Sequence, residues 1–340
     1  MDLSQLLLKP LMASHRSHAA NLLGYKASMQ TILGAGGPIA VGLAQALRRT
    51  HAVDLRLVGR QPKKVDQADV IFAADLLDAR ATATAVAGSE IVYFTAGLPP
   101  DTRLWERQFP VMLENALSAS RLAGARFVYF DNTYMYPQDA RVLDETTAFE
   151  PLGRKGRVRA AMATRVLEEM ARGDIPVLIA RAPEFYGPAK TQSFTNALII
   201  DNLKAGKRAR VPVRDDTRRT LIWTPDASRA LALLGNTEGA FGQTWHLPCD
   251  DHRLTYREFV ALASEALCRE PSHTVLGKSM LWALGLVSRP ARELRELLPR
   301  YAYDNLFDSS KFKGSFPDFR VTTYRDGIFQ IFAESLPPNY

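Results

Sequence analysis

The sequence predicts an α/β fold, a Rossmann-type doubly wound parallel sheet with a smaller C-terminal mixed α/β domain. Three observations predict it. Short apolar runs at 31–33, 54–58, 70–72, 91–95, 126–130 and 177–180 alternate with helical stretches such as 39–49 and 110–123. Strands separated by helices imply parallel pairing through right-handed crossovers. A glycine cluster, Gly34-Ala35-Gly36-Gly37-Pro38-Ile39-Ala40, lies between the first run and the first helix. Beyond Arg181 the pattern changes, with Pro183, Gly187, Pro188, Pro212, Pro225 and Pro248 punctuating shorter elements and helical stretches at 256–268 and 279–298.

Residues 29–180 therefore read as a nucleotide-binding domain and 181–340 as a smaller substrate domain that could return strands or helices to the first. Residues 1–28, with Asp2 their only acid, read as a loosely attached extension or the product of an upstream start codon. A transit peptide is the alternative, since the apolar piece 6–8 is too short for a secretory signal.

The 340 residues suffice for about two domains. Hydrophobic residues at 46% and charged residues at 23% exclude a disordered or fibrous chain. No apolar run approaches the roughly 20 residues that cross a bilayer; the nearest, 280–287, is interrupted by Gly285. Forty-three basic against 36 acidic residues give a net charge of +7, which favours anionic ligands. Cys249 and Cys268, the two cysteines, make neither a disulfide framework nor a metal set, and a cytoplasmic location is expected. The basic stretch 204–210, extended by Arg214, Arg218 and Arg219, lacks interleaved aromatics and is interrupted by Asp215-Asp216. It reads as a solvated face, with no nucleic-acid or membrane partner expected and a homodimer left open.

Gly34, Gly36 and Gly37 allow a sharp turn and close approach to a pyrophosphate, which then meets the free N–H groups of the helix opened by Pro38 and Ile39. The second strand ends at Arg60, where an NAD-preferring site would carry an acid to accept from the ribose hydroxyl. A guanidinium instead grips a 2′-phosphate, so NADP(H) is expected over NAD(H). Asp75, with Leu76, is placed at the adenine edge, and Ala96-Gly97 lets backbone lie against the cofactor. Pro183 completes the expected cofactor set.

With these pieces in order, the chain resembles the extended short-chain dehydrogenase/reductase superfamily, also called the NAD-dependent epimerase/dehydratase family, from about 29 to 328. The resemblance rests on the GxGGxxA loop, Asp75-Leu76, Tyr93-Phe94-Thr95-Ala96-Gly97, Asn115, Phe127-Val-Tyr-Phe-Asp-Asn-Thr-Tyr-Met-Tyr136, the segment from Arg181 to Gly187-Pro188, and Arg219 with Asp226. It implies a triad of Ser or Thr, Tyr and Lys. Here Asn132 stands in the first position, Lys155 in that of the tyrosine and Arg159 in that of the lysine. Asn132 can hold a carbonyl oxygen and Arg159 can fix the nicotinamide ribose. Proton transfer falls to Lys155, if burial and Arg159 lower its pKa, or to Tyr134 or Tyr136 from the strand end.

Family members acting on nucleotide sugars carry an Asn where this chain has Glu184, a carboxylate that would repel a diphosphate. Arg219 matches the diphosphate-contacting arginine. Glu184, Tyr186, Arg219 and Trp223 are the expected substrate residues, with Trp105, Phe185 and Tyr301 as further aromatic candidates. The expectation is an NADP(H)-dependent oxidoreductase or epimerase-like enzyme acting on a small carbonyl, alcohol or sugar-like substrate, with no metal. The rival is a non-catalytic NADPH-binding redox sensor or regulator.

Overall fold

The computed structural model describes residues 28–188, 191, 193–287, 292–293 and 295–333. The extension expected at 1–28 lies, Ser28 aside, outside the described residues. Alternation of apolar runs and helices produces β1 (Met29–Leu33), α1 (Pro38–Thr50), β2 (Asp54–Gly59), β3 (Val70–Ala73), α2 (Ala79–Val86), β4 (Ile91–Phe94), α3 (Thr102–Ala123), β5 (Arg126–Asp131), α4 (Gly153–Arg172) and β6 (Val177–Arg181). A late strand, β7 (Thr244–His246), pairs with β6. The seven-stranded sheet runs β7-β6-β5-β4-β1-β2-β3, with every pairing parallel.

Side chains alternate between the two faces of a strand. Ile32, Leu57, Tyr93 and Val128 accordingly join one core with Leu43 and Leu47 of α1 and Leu231 of helix Thr224–Gly235. Leu33, Val58, Val92 and Phe127 enter the opposite core with Ala85 of α2, Leu117 of α3 and Val166 of α4. Each such fully buried aliphatic side chain contributes roughly 1.5–3 kcal/mol. A third core, including Tyr186, Leu203, Val211, Trp223 and Phe259, holds the C-terminal part.

Helix α3 begins well before the expected 110. Asp101 caps it, its side chain accepting from the Leu104 amide, and Pro110 lies inside the helix. An interior proline removes one ladder bond; Pro110 is on the exposed face, where solvent can meet the freed carbonyl. The stretch 279–298 is also not one helix, comprising instead helix Lys278–Val287 and a 3-10 turn, Arg295–Tyr301, that contains Pro299. In the basic stretch, Lys204, Lys207, Arg208 and Arg210 are exposed, whereas Arg214 pairs with Asp216 at 2.8 Å. No helix among the described residues is long and apolar enough to cross a membrane.

Candidate active site

Strand order reverses between β1 and β4, and in open α/β sheets ligands bind beyond the strand ends at such a switch point. A cleft of about 570 Å³ opens there. Gly34 has φ +93°, and a Cβ on it would fall on the Ala96 backbone, so the β1 and β4 loops meet only with glycine at 34. Gly36 and Gly37 have nothing within 4 Å of where a Cβ would stand, leaving a bare cradle before the amides that open α1. Pro38, at the first helical turn, gives up an N–H that the helix would leave free.

All the sequence-expected cofactor positions, Gly34, Gly36, Gly37, Pro38, Ile39, Arg60, Asp75, Leu76, Ala96, Gly97 and Pro183, line this one cleft. Arg60 is exposed, with no ion-pair partner among the described residues. Asn115 of α3 donates to the Leu76 carbonyl at 2.9 Å and anchors the loop after β3. The glycine cradle and the helix N-terminus fit a dinucleotide.

Asn132 follows β5, and its side-chain oxygen accepts from the Tyr134 amide at 2.9 Å. Asn132 lines the cleft, and with its oxygen so engaged its NH₂ group is the donor it has to offer a ligand. Arg159 is 4% exposed, binds Asp131 at 2.5 Å, and its Nη1 meets only the Met162 sulfur, at 3.8 Å. It keeps donors for a ligand. Tyr134 also lines the cleft, stacks on Trp105 at 6.0 Å, and its hydroxyl has no partner among the described residues. Burial raises the Tyr134 phenol above its ordinary pKa; the Arg300 charge pulls it down, the Glu184 charge pushes it up and the Arg159 charge pulls it down.

Lys155 lines the cleft but is fully buried. Its Nζ donates to Thr102 Oγ1 at 2.6 Å, Glu293 Oε2 at 2.6 Å and the Glu293 carbonyl at 3.0 Å. An ammonium has three donors, and all three are engaged. The same Glu293 oxygen accepts from the Thr102 amide and hydroxyl, at the start of α3. Glu296 accepts from the Lys155 amide in the first turn of α4. Carboxylates are favoured at both sites by the helix dipole.

Burial would raise the Glu293 carboxyl, but the hydrogen bonds from Lys155 and Thr102, with the Lys155 charge, hold it down to about 2. A carboxyl whose pKa is depressed on folding stabilises above its unfolded value and loses that contribution as pH falls through the folded value. The pair is therefore expected to be worth about 3 kcal/mol at neutral pH. In melting curves from pH 6 to 2, Lys155→Met should start several degrees below the parent, with the gap closing between about pH 4.5 and 2; a pH-independent gap would refute the assignment.

Four expected site residues are not brought to the cleft. Tyr136 is buried, its hydroxyl bonded to Arg181 at 2.7 Å, His246 at 2.8 Å and the Asp144 carbonyl at 3.0 Å; burial pushes its pKa up to about 12. β5 ends at Asp131 and the chain then turns, the Tyr136 amide donating to the Thr133 carbonyl at 3.2 Å, so Tyr134 lines the cleft while Tyr136 packs into the opposite core. Tyr186 and Trp223 pack against each other in the third core, ring centres 5.2 Å apart. Arg219, 1% exposed, donates to the Arg300 carbonyl at 2.6 Å and to Glu184 at 3.5 Å. Glu184 does line the cleft, with its carboxylate also accepting from Tyr301 at 2.8 Å and Thr195 Oγ1 at 2.9 Å.

Trp105, Phe185 and Tyr301 line the cleft as the aromatic candidates suggested. Arg300, beside Tyr301, and the Thr102–Glu293 support behind Lys155 were not foreseen. A lysine on a helix face that needs a distant acid is the one trace in the sequence, and the separation of 138 residues hides its partner.

The family model for the NAD dependent epimerase/dehydratase family matches residues 31–245. No curated protein matches. The fold is similar to UDP-glucuronic acid 4-epimerase from Bacillus cereus in complex with NAD, at 14% identity and a TM-score of 0.73, covering 90% of this chain and 98% of that one. A putative epimerase from Burkholderia cenocepacia matches at 18% identity and a TM-score of 0.72, covering 91% and 98%. UDP-glucose 4-epimerase from Thermus thermophilus, in complex with NAD, matches at 15% identity and a TM-score of 0.71, covering 91% and 100%.

Proposed function

The chain belongs to the NAD-dependent epimerase/dehydratase family, and from that premise we propose that its cleft binds NADP(H) and carries out hydride transfer on a small carbonyl or alcohol substrate. The observation that carries this reading is one cleft holding the bare glycine cradle at one end and Asn132, Tyr134 and Arg159 at the other. When bound, the dinucleotide supplies or takes up the hydride. Arg159, backed by Asp131, clamps the nicotinamide ribose. Asn132 donates its amide N–H to the substrate oxygen and fixes its distance. Tyr134 gives its phenolic proton to that oxygen as the carbonyl is reduced, and in the reverse direction takes it back with Arg300 and Arg159 favouring the phenolate.

Lys155 then acts as a neutralised strut between α3, α4 and Glu293. Its engaged donors also favour the second reading, a protein that binds NADPH without turning it over. Loss of nicotinamide absorbance with a panel of aldehydes, ketones and 2-oxo acids supports the enzyme, and saturable NADPH binding with no turnover supports the sensor.

The preference for the phosphorylated coenzyme rests on Arg60. A charge-assisted contact is worth roughly 1.5–3 kcal/mol, so Arg60→Ala should weaken NADPH binding by about 10–150-fold and leave NADH binding within about threefold. Fluorescence titration of both coenzymes measures this; equal losses for the two would remove Arg60 from 2′-phosphate recognition.

A further inference from the structure

Among the described residues five cationic side chains are buried: Lys155, Arg159, Arg181, Arg219 and Arg300. Four have a carboxylate within ion-pair distance. Lys155 has Glu293 at 2.6 Å, Arg159 and Arg181 share Asp131 at 2.5 and 3.2 Å, and Arg219 has Glu184 at 3.5 Å. Arg300 is the exception among the described residues. It is 8% exposed and lines the cleft, its Nη2 donates to Thr133 Oγ1 at 2.8 Å, and its Nε has no partner. A buried charge without a counter-ion is costly, so this one is held for a ligand.

We propose that Arg300 receives a carboxylate on the substrate, making the cleft a site for small oxo or hydroxy acids. The inference rests on the redox reading above and names its substrate class. Arg300 is bonded to Thr133 and lies 4.8 Å over the Tyr134 ring, the two residues that follow Asn132. Its anion therefore sits beside the group that anchors the reacting oxygen, as in an acid whose carboxylate adjoins its carbonyl carbon. A planar guanidinium fork matches a carboxylate through two parallel bonds. Two features disfavour a nucleoside-diphosphate sugar. Arg219 is spent on Glu184 and on the Arg300 carbonyl, where it serves as a positioning residue, and the Glu184 carboxylate lines the same cleft.

The test is calorimetric titration of oxamate, inorganic phosphate and UDP into the full chain, with and without NADPH, for the parent and R300Q. Saturable oxamate binding tighter than phosphate or UDP is expected, falling at least tenfold in R300Q while NADPH affinity stays within twofold. Oxamate affinity unchanged in R300Q, tighter binding of phosphate or UDP, or no oxamate binding by the parent overturns the proposal. If R300Q melts early, R300K and T133A carry the same comparison, and parental oxamate affinity in both has the same meaning. Failure of the parent to bind NADPH would sink the reading of the cofactor site, while oxamate binding by the cofactor-free chain still decides this one.

Discussion

Replacing Tyr134 with Phe is expected to lower turnover by roughly 10²–10⁴-fold, the range that general acid–base groups contribute, with NADPH affinity nearly unchanged. The side chain stacks on Trp105 and lies beneath Arg300, and both contacts involve the ring, which phenylalanine keeps. Only the unpartnered hydroxyl is lost. Burial holds the phenol protonated at neutral pH, so the effect should be largest in the direction of carbonyl reduction. Parallel kcat and coenzyme-binding measurements on Tyr134→Phe and Tyr136→Phe separate the two tyrosines. Equal activity in Tyr134→Phe and the parent would dismiss it as the proton donor.

Asp131→Asn should cost about 3–5 kcal/mol, because one buried carboxylate neutralises two buried guanidinium groups. For a chain of this size that is a fall in Tm of roughly 4–7 °C. Arg159 would also lose its orientation toward the cleft, so coenzyme binding should weaken along with stability. The parallel loss distinguishes this position from Tyr134. Thermal melts and NADPH titration of the same preparation test it, and a melt within a degree of the parent would contradict the shared-counter-ion role.

Six strands of the sheet were legible because each carries its own local evidence in an apolar run between helices, whereas β7, three residues at Thr244–His246, has no such run; the glycine cradle was legible because only backbone freedom explains that cluster beside Pro38. The family motif led to positions 132, 155 and 159, which all line the cleft, but the local sequence carries no sign that Lys155 has all its donors engaged by Thr102 and Glu293. Tyr136, Tyr186, Arg219 and Trp223 are turned away from the cleft, which the motif does not reveal: it gives their positions along the chain, whereas their partners lie far away in it. Tyr136 is turned by His246, 110 residues on, and Arg219 by Arg300, 81 residues on. Pairings of that range depend on how the third core docks. Pro110 misled in the opposite sense, reading as a helix start where the cap at Asp101 governs.

The strut between Lys155 and Glu293 also bears on how this cleft can change over evolutionary time. A tyrosine placed at 155 would have no cation to offer the carboxylate that spans the first turn of α3, and a neutral side chain at 293 would strand the amine. Either substitution alone forfeits the pair and the stability it carries, so a phenol at that position keeps full stability only when position 293 changes with it.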